Sequence, residues 1–195
     1  MATDLSERRW RLTMPTFHAF RDERPKEEKW ELIDGVPVMM PPPTLVHQRI
    51  SRTIGEMLNA RLRAAGLPWI ADHEIGLLLP ADETFNPEPD LTVIDRDVAL
   101  DQIYAERFYI VVEVLSTSDK PGVIAAKLDY YKSHAPCLAG LFVRQDRVEA
   151  TLHARETDGW CERVLSDGDA PILLPEVGAI GPLGACYRDT PLGPR

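Results

Sequence analysis

The stretch FYIVVEVL at positions 108–115 is the most apolar segment of the chain. Because its apolar residues follow one another almost without interruption, it predicts a central strand that is covered on both faces. Glu113 is the one charged residue in it. A carboxylate inside such a strand loses on the order of several kcal/mol of hydration unless it is paired or binds a metal ion. A buried ion pair or an early end of the strand would also account for Glu113, so both explanations stay open.

Asp90 begins the strand predicted before this one, which covers about 90–94. In isolation, a Pro-Asp pair is common in turns. Neighbouring strands lie about 4.8 Å apart, so Asp90 and Glu113 could share one cation if their strands are adjacent. Carboxylate oxygens are ligands that Mg²⁺ and Mn²⁺ prefer, whereas zinc favours nitrogen and sulfur. The two acids therefore form a candidate metal site.

A helix is predicted over about 121–134, with Ser118 or Asp119 as its cap and Pro121 in its first turn. Its buried face follows the spacing i, i+3, i+4, i+7 and consists of Ile124, Lys127, Leu128 and Tyr131. Lys127 thus occupies a position where a hydrophobic residue is expected. Either its ammonium group reaches the surface along the helix, or it points at the acid pair. In the second case it could orient a water molecule and stabilise developing negative charge.

The remaining pattern is that of a mixed α/β (α+β) sheet protein. A second helix is predicted over 44–65, with an apolar stripe at every fourth residue: Val46, Ile50, Ile54, Leu58 and Leu62. The other predicted elements are a short helix over 15–24, strands over 69–79 and 138–143, and hairpins over 30–40 and 148–165; residues 97–107 are unassigned. The tail from 171 onward, rich in Gly and Pro, is expected to wrap the surface or to pair at a sheet edge. We expect one domain over 14–195, preceded by a flexible arm over 1–13.

Length and composition restrict the classes of protein to which this chain can belong. A chain of 195 residues with 44% hydrophobic and 27% charged residues suits one folded domain. No apolar run reaches the ~18 residues that a membrane helix needs, and the first residues do not resemble a signal peptide. We therefore expect a cytoplasmic protein. The formal charge of −9 argues against a long footprint on duplex DNA, which usually requires a basic face.

Asp90, followed by EVLS at 113–116, resembles the catalytic half-motif of the PD-(D/E)XK nucleases. Leu115 stands where those proteins usually have lysine, and Lys127 matches a branch in which the lysine has moved to the next helix. The same branch has segments that are similar to 30–35, 39–43 and 47–50. Over about residues 14–143, the chain thus resembles the Uma-two (Uma2) family of restriction-endonuclease-like proteins.

The resemblance implies a restriction-endonuclease-like PD-(D/E)XK core, in which helices flank a mixed central sheet and extra hairpins lie at both ends. It also implies a metal-dependent endonuclease that hydrolyses phosphodiester bonds in DNA. The metal ion would be Mg²⁺ or Mn²⁺, held by Asp90 and Glu113 with Lys127 beside them. A homodimer is a further option, because the terminal hairpins could pair between two copies.

Two more residues match family positions whose roles the sequence leaves open. Glu31 is either a solvated acid of the first hairpin or a third acid that faces the site. His47 either caps or packs the start of its helix, or it acts as a proton carrier or phosphate contact.

Departures from the family pattern motivate an alternative function. The stretch 134–140 differs from the family, and Lys120 is an alternative to Lys127 as the catalytic lysine. Together with the acidic net charge, these departures are compatible with a catalytically silent nucleic-acid- or protein-binding module that keeps the nuclease fold.

Overall fold

The computed structural model of the protein describes residues 11–193. Most of the arm predicted over 1–13 therefore lies outside the described residues. Its last residues contact the turn of the first hairpin: the Leu12 amide donates to the Gly35 carbonyl at 2.7 Å, and Arg11 forms an ion pair with Asp34.

Helices and strands alternate along the chain in the mixed order that the sequence predicts. The helices are α1 (Met14–Asp22), α2 (Leu45–Ala64) and α3 (Pro121–Ser133). The strands are β1 (Lys29–Ile33), β2 (Val36–Met40), β3 (Trp69–His73), β4 (Gly76–Leu77), β5 (Leu91–Asp95), β6 (Tyr104–Ala105), β7 (Ile110–Leu115), β8 (Ala139–Arg144), β9 (Ala150–Glu156), β10 (Gly159–Leu165), β11 (Pro171–Leu174) and β12 (Gly178–Pro182). A short 3₁₀ helix covers Leu183–Tyr187.

A six-stranded mixed sheet forms the centre of the fold, in the order β10-β9-β8-β7-β5-β3. Strands β7 and β8 are parallel, and every other neighbouring pair in this sheet is antiparallel. Strand β7 is buried along almost its whole length, as its uninterrupted apolar sequence predicts. The mixed sheet confirms the predicted fold class.

Different helices cover the two faces of this sheet. Four residues of α2 form a fully buried stripe on one face: Ile50, Ile54, Leu58 and Leu62. Val112 of β7 belongs to the same core, whereas Val111 packs with Tyr130 and Tyr131 of α3 on the other face. Because side chains alternate along a strand, Glu113 lies on the α3 face with Val111. In the described range 11–193, no helix combines the length and apolar character needed to cross a membrane.

Two of the local predictions are wrong. The strand predicted over 69–79 is interrupted after His73, because Glu74 adopts a left-handed backbone conformation with φ of 53°; the chain then pairs β4 with β6 in a separate two-stranded sheet. Neither Ser118 nor Asp119 caps α3, since Lys120 is the N-cap residue and no side chain makes the capping bond. Instead, the Asp119 carboxylate accepts a hydrogen bond from the Ser116 amide at 2.5 Å.

The tail from 171 onward is part of the core, contrary to the prediction that it wraps the surface or pairs at an edge of the sheet. Strands β11 and β12 form their own hairpin. Ile172, Leu183 and Tyr187 are fully buried and belong to the core that α2 shares with the sheet. The Tyr187 hydroxyl accepts a hydrogen bond from the Glu149 amide at 3.1 Å and lies 2.9 Å from the Arg144 carbonyl oxygen. It thereby ties the tail to the turn between β8 and β9.

We expect Tyr187→Phe to lower the free energy of unfolding by about 1–2 kcal/mol, because it removes hydrogen bonds at a buried position. Urea denaturation followed by circular dichroism measures this change. Tyr104→Phe is the matched control: its hydroxyl bonds His18 and Arg21 at a partly exposed position, and we expect a change below about 0.5 kcal/mol. Equal stability of Tyr187→Phe and wild type would contradict the role of this hydroxyl.

Candidate active site

Asp90 and Glu113 meet at one point of the central sheet. Strands β5 and β7 are antiparallel neighbours with Leu91 opposite Val112, so Asp90, directly before β5, comes beside Glu113. The Asp90 Oδ2 atom accepts a hydrogen bond from the Val114 amide at 2.6 Å. The structure thus brings the two predicted acids together, and the backbone of β7 itself fixes the orientation of the Asp90 carboxylate.

The ammonium group of Lys127 lies between two buried carboxylates. Its Nζ atom is 2.7 Å from Glu113 Oε1 and 3.2 Å from Glu31 Oε1. Only 5% of the Lys127 side chain is exposed, so the lysine does not reach for solvent along its helix. Burial alone would lower the pKa of Lys127, but the carboxylates of Glu113 and Glu31 outweigh it and raise that pKa above its usual range. The two carboxylates therefore favour the charged form of Lys127.

Glu31 is the third acid of the site and is fully buried, so the alternative of a solvated hairpin acid is wrong. Its Oε1 atom accepts hydrogen bonds from the Glu88 amide at 2.8 Å and from Lys127. Its Oε2 atom is buried and has no hydrogen-bond partner among the described residues. An unpaired carboxylate oxygen in the interior is costly, and here it lies within a cluster of charged groups.

Tyr131 is a member of the site that the sequence did not single out as functional. Its hydroxyl donates to Glu113 Oε1 at 2.5 Å, and the tyrosine is fully buried. It lies one helical turn after Lys127, so the same i, i+4 spacing that places Lys127 also places Tyr131 over the acids. Glu113 itself has a raised pKa: burial is the main cause, the Lys127 charge opposes it, and the charges of Glu31 and Asp90 add to it.

His47 contacts Asp90. Its Nε2 atom lies 2.7 Å from Asp90 Oδ1, while Thr44 performs the capping of α2 by accepting a bond from the His47 amide. Burial lowers the pKa of His47, but the hydrogen bond and the charge of Asp90 outweigh it, so this pKa is raised overall. The imidazole can therefore hold or release a proton at Asp90 near neutral pH.

All five predicted residues line a single cleft of about 750 Å³: Glu31, His47, Asp90, Glu113 and Lys127. Lys120 lines the same cleft, but it is exposed and makes no ion pair within residues 11–193. The geometry therefore favours Lys127 over Lys120 as the lysine that acts with the acids. Throughout the described part of the chain, no three His, Cys, Asp or Glu side chains are arranged as a ready-made metal site.

A sequence model of the Uma2 family, described as "Putative restriction endonuclease", matches residues 14–181. The chain belongs to the Uma2 family. The structure is also similar to a crystal structure from Anabaena variabilis ATCC 29413, which is described as a "putative nuclease belonging to DUF820". That match has a TM-score of 0.70 and 15% sequence identity, and it covers 90% of this chain and 97% of the other. No curated protein matches the chain significantly. Family and fold together support a nuclease function in general terms.

In this Uma2 protein, a second set of contacts fixes the helix that carries Lys127. Arg155 of β9 donates to the carbonyl oxygens of Cys137 at 2.8 Å and of His134 at 3.1 Å, which lie just after α3. The Tyr130 hydroxyl accepts a hydrogen bond from the Leu79 amide at 3.0 Å. These bonds tie the C-terminal end of α3 and its Tyr130 side chain to neighbouring segments, which restricts movement of Lys127 and Tyr131 away from the acids.

We expect Lys127→Met to lower the free energy of unfolding by about 3–5 kcal/mol near pH 8, because it leaves two acids buried without their counter-charge. The loss should shrink as the pH falls. Burial already holds the pKa of Glu113 above its unfolded value, and loss of the opposing Lys127 charge raises it further, so the folded variant takes up a proton before the unfolded chain does. Urea titrations at several pH values between about 5 and 8 measure the difference from wild type.

Lys120→Met is the control for this experiment, because it removes an exposed lysine of the same cleft. We expect its stability to stay within about 0.5 kcal/mol of wild type at every pH. A stability difference between Lys127→Met and wild type that is small, or that grows on acidification, would show that the buried lysine does not compensate the two acids.

Proposed function

We propose that this protein is a metal-dependent endonuclease that hydrolyses phosphodiester bonds in DNA, with Mg²⁺ or Mn²⁺ held by Asp90 and Glu113. The observation that carries the proposal is the position of Lys127. A buried ammonium group lies 2.7 Å from an acid on the central strand, and both line an open cleft. Membership of the Uma2 family supports the same reaction class.

The two acids fit a hard divalent cation. Glu113 Oε1 is engaged by Lys127 and Tyr131, but Glu113 Oε2 makes no hydrogen bond to any residue in the range 11–193. Asp90 contributes oxygens beside it, although a cation would have to share Asp90 with His47. Two carboxylates are enough for Mg²⁺, which usually keeps several waters and completes its coordination with substrate phosphate oxygens. A cation in this position supplies Lewis-acid chemistry, since it polarises the phosphate and acidifies a water molecule.

The residues of the chain have distinct tasks in this reaction. The Lys127 ammonium orients the attacking water and stabilises negative charge on the phosphate, and it remains protonated because the surrounding acids raise its pKa. His47 can take up or deliver a proton next to Asp90. Glu31 gives Lys127 a second anchor that does not depend on Glu113. Tyr131 holds one oxygen of Glu113 and leaves the other free.

A catalytically silent binding module is the second candidate function, and one observation favours it. Glu113 is already neutralised by Lys127 and hydrogen-bonded by Tyr131, so the cluster satisfies most of its own charge without a metal ion. Such a module would bind nucleic acid or protein without turnover.

A cytoplasmic location and a homodimer are further parts of the proposal, and the arguments for them come from the sequence alone.

We expect Mn²⁺ to bind the wild-type protein and to bind Glu113→Gln at least about tenfold more weakly, because the substitution removes a charged ligand oxygen. Isothermal titration calorimetry measures both affinities. Glu162→Gln is the matched control, since Glu162 is an exposed acid of β10 outside the cleft, and its affinity should equal that of wild type. Equal binding by Glu113→Gln and wild type would contradict the metal assignment.

We expect the wild-type protein to nick or cut plasmid DNA in the presence of Mg²⁺ or Mn²⁺. Asp90→Asn and Lys127→Met should lower the rate by about 100-fold or more, as loss of a charge-stabilising group usually does. Glu162→Gln should retain most of the activity and serves as the control, because Glu162 is an exposed acid outside the cleft. Full activity in Asp90→Asn would overturn the assignment, and metal binding without any cleavage by wild type would favour the silent module.

A further inference from the structure

One wall of the cleft carries no charge. Residues 36–46 contain only apolar residues, prolines and one threonine, and most of this segment lines the cleft. Val36 is 52% exposed and Met39 54% exposed, while Pro41, Pro42 and Pro43 are exposed as well. Val36 and Met39 lie on opposite faces of β2, so both faces of this strand carry exposed apolar side chains next to the cleft. Exposed apolar surface at a cleft is typical of a place where another molecule binds. We call the segment 36–43 the apolar wall.

Outside the apolar wall, the lining of the cleft is predominantly acidic. Six carboxylates line the cleft: Glu31, Glu74, Glu88, Asp90, Glu113 and Asp119. They face only three lysines, and two of these are already used. Lys29 lies 3.4 Å from Glu74 and 3.5 Å from Glu88, and Lys127 pairs with the acids of the site. Among the cleft lysines in the range 11–193, Lys120 alone is without an ion pair and could meet a phosphate.

We infer that the cleft takes an unpaired DNA strand and that the apolar wall contacts its bases or deoxyriboses. The inference rests on the proposed function, because the acids and Lys127 require a phosphodiester on one side of the cleft. The apolar wall must then contact a part of the nucleotide other than its phosphate. An unstacked base or a sugar meets that requirement, since both offer apolar surface to methionine and proline side chains.

Duplex DNA fits the same cleft poorly. In a duplex the base faces are stacked on one another, and the outer surface near a scissile phosphate is a charged backbone. Neighbouring phosphates would therefore lie against the carboxylates of the cleft or against the apolar wall, which has almost no hydrogen-bond donors. Among the cleft-lining residues within 11–193, Lys120 is the one lysine without an ion pair, whereas proteins that grip a duplex neutralise several phosphates. The distribution of charge thus favours a strand whose bases can turn outward.

Fluorescence anisotropy with a labelled DNA of about 16 nucleotides, single-stranded or annealed to its complement, tests this inference. Binding is measured in the Glu113→Gln background, in which cleavage is blocked and repulsion by the site is reduced. We expect the single strand to bind at least about tenfold more tightly than the duplex. The logarithm of its association constant should fall with the logarithm of the salt concentration by roughly 0.7 per phosphate contacted. Adding Met39→Ser to this background should weaken single-strand binding by roughly fivefold or more.

Val164→Ser is the matched control, because Val164 is 60% exposed on the edge strand β10 outside the cleft. It should change single-strand binding by less than about twofold. Val36→Ser provides a second variant of the apolar wall if Met39→Ser does not fold. Equal or tighter binding of the duplex would overturn the inference, as would full single-strand affinity in the Met39→Ser and Val36→Ser variants.

Two further outcomes distinguish single-strand binding from the proposed nuclease activity and from dimer formation. A strand preference that depends on Met39, in a wild-type protein that cleaves no DNA, would support the inference and remove only the catalytic part of the proposed function. Sedimentation in which Met39→Ser dissociates a dimer, with DNA binding unchanged, would assign the apolar wall to a second copy of the chain and overturn the inference.

Discussion

The Lys127 ammonium group, buried between Glu31 and Glu113, is the interaction on which the rest of the site depends. The three charged residues of this cluster come from three different elements: Lys127 from α3, Glu31 from β1 and Glu113 from β7. Buried acids of this kind are tolerated only when a counter-charge and hydrogen bonds accompany them. The first hairpin, the central strand and the third helix must therefore be in place together before the charges are compensated. The geometry of the candidate site is thus coupled to the stability of the domain.

The alternation of side chains along β7 explains how the protein keeps a charged site next to an apolar core. Val112 and Val114 point into the core under α2, while Glu113 points toward α3. The lysine of the usual half-motif is replaced by Leu115, and Lys127 reaches the acids from the neighbouring helix instead. A helix can deliver an ammonium group to this point because Arg155 and Tyr130 fix its position against the sheet. The candidate site therefore combines the acids Asp90 and Glu113 with a lysine that comes from α3 and not from β7.

Part of the negative net charge of the protein comes from the carboxylates that line the cleft. An acidic protein is an unusual partner for DNA, yet part of its negative charge is concentrated where a cation would bind. The apolar wall beside these acids offers contacts that do not depend on phosphate neutralisation. Weak electrostatic attraction agrees with a small DNA footprint, because the described part of the chain offers the cleft one lysine without an ion pair, Lys120, to hold a long polyanion.

Much of the fold and part of the site could be predicted from sequence alone. The periodicity of α2, the hairpin pattern over 30–40 and the apolar run of β7 determined local structure, because each pattern acts within a short segment. The same patterns marked Glu113 and Lys127, since charged residues stood where apolar ones were expected, and Asp90 was marked by its place at the start of the preceding strand. Only the tertiary structure decided that Glu31 is buried, that Tyr131 contacts Glu113, and that the Pro- and Gly-rich tail completes the core. Those outcomes depend on which elements pack together, and contacts between residues far apart in the chain leave no periodic trace in the sequence.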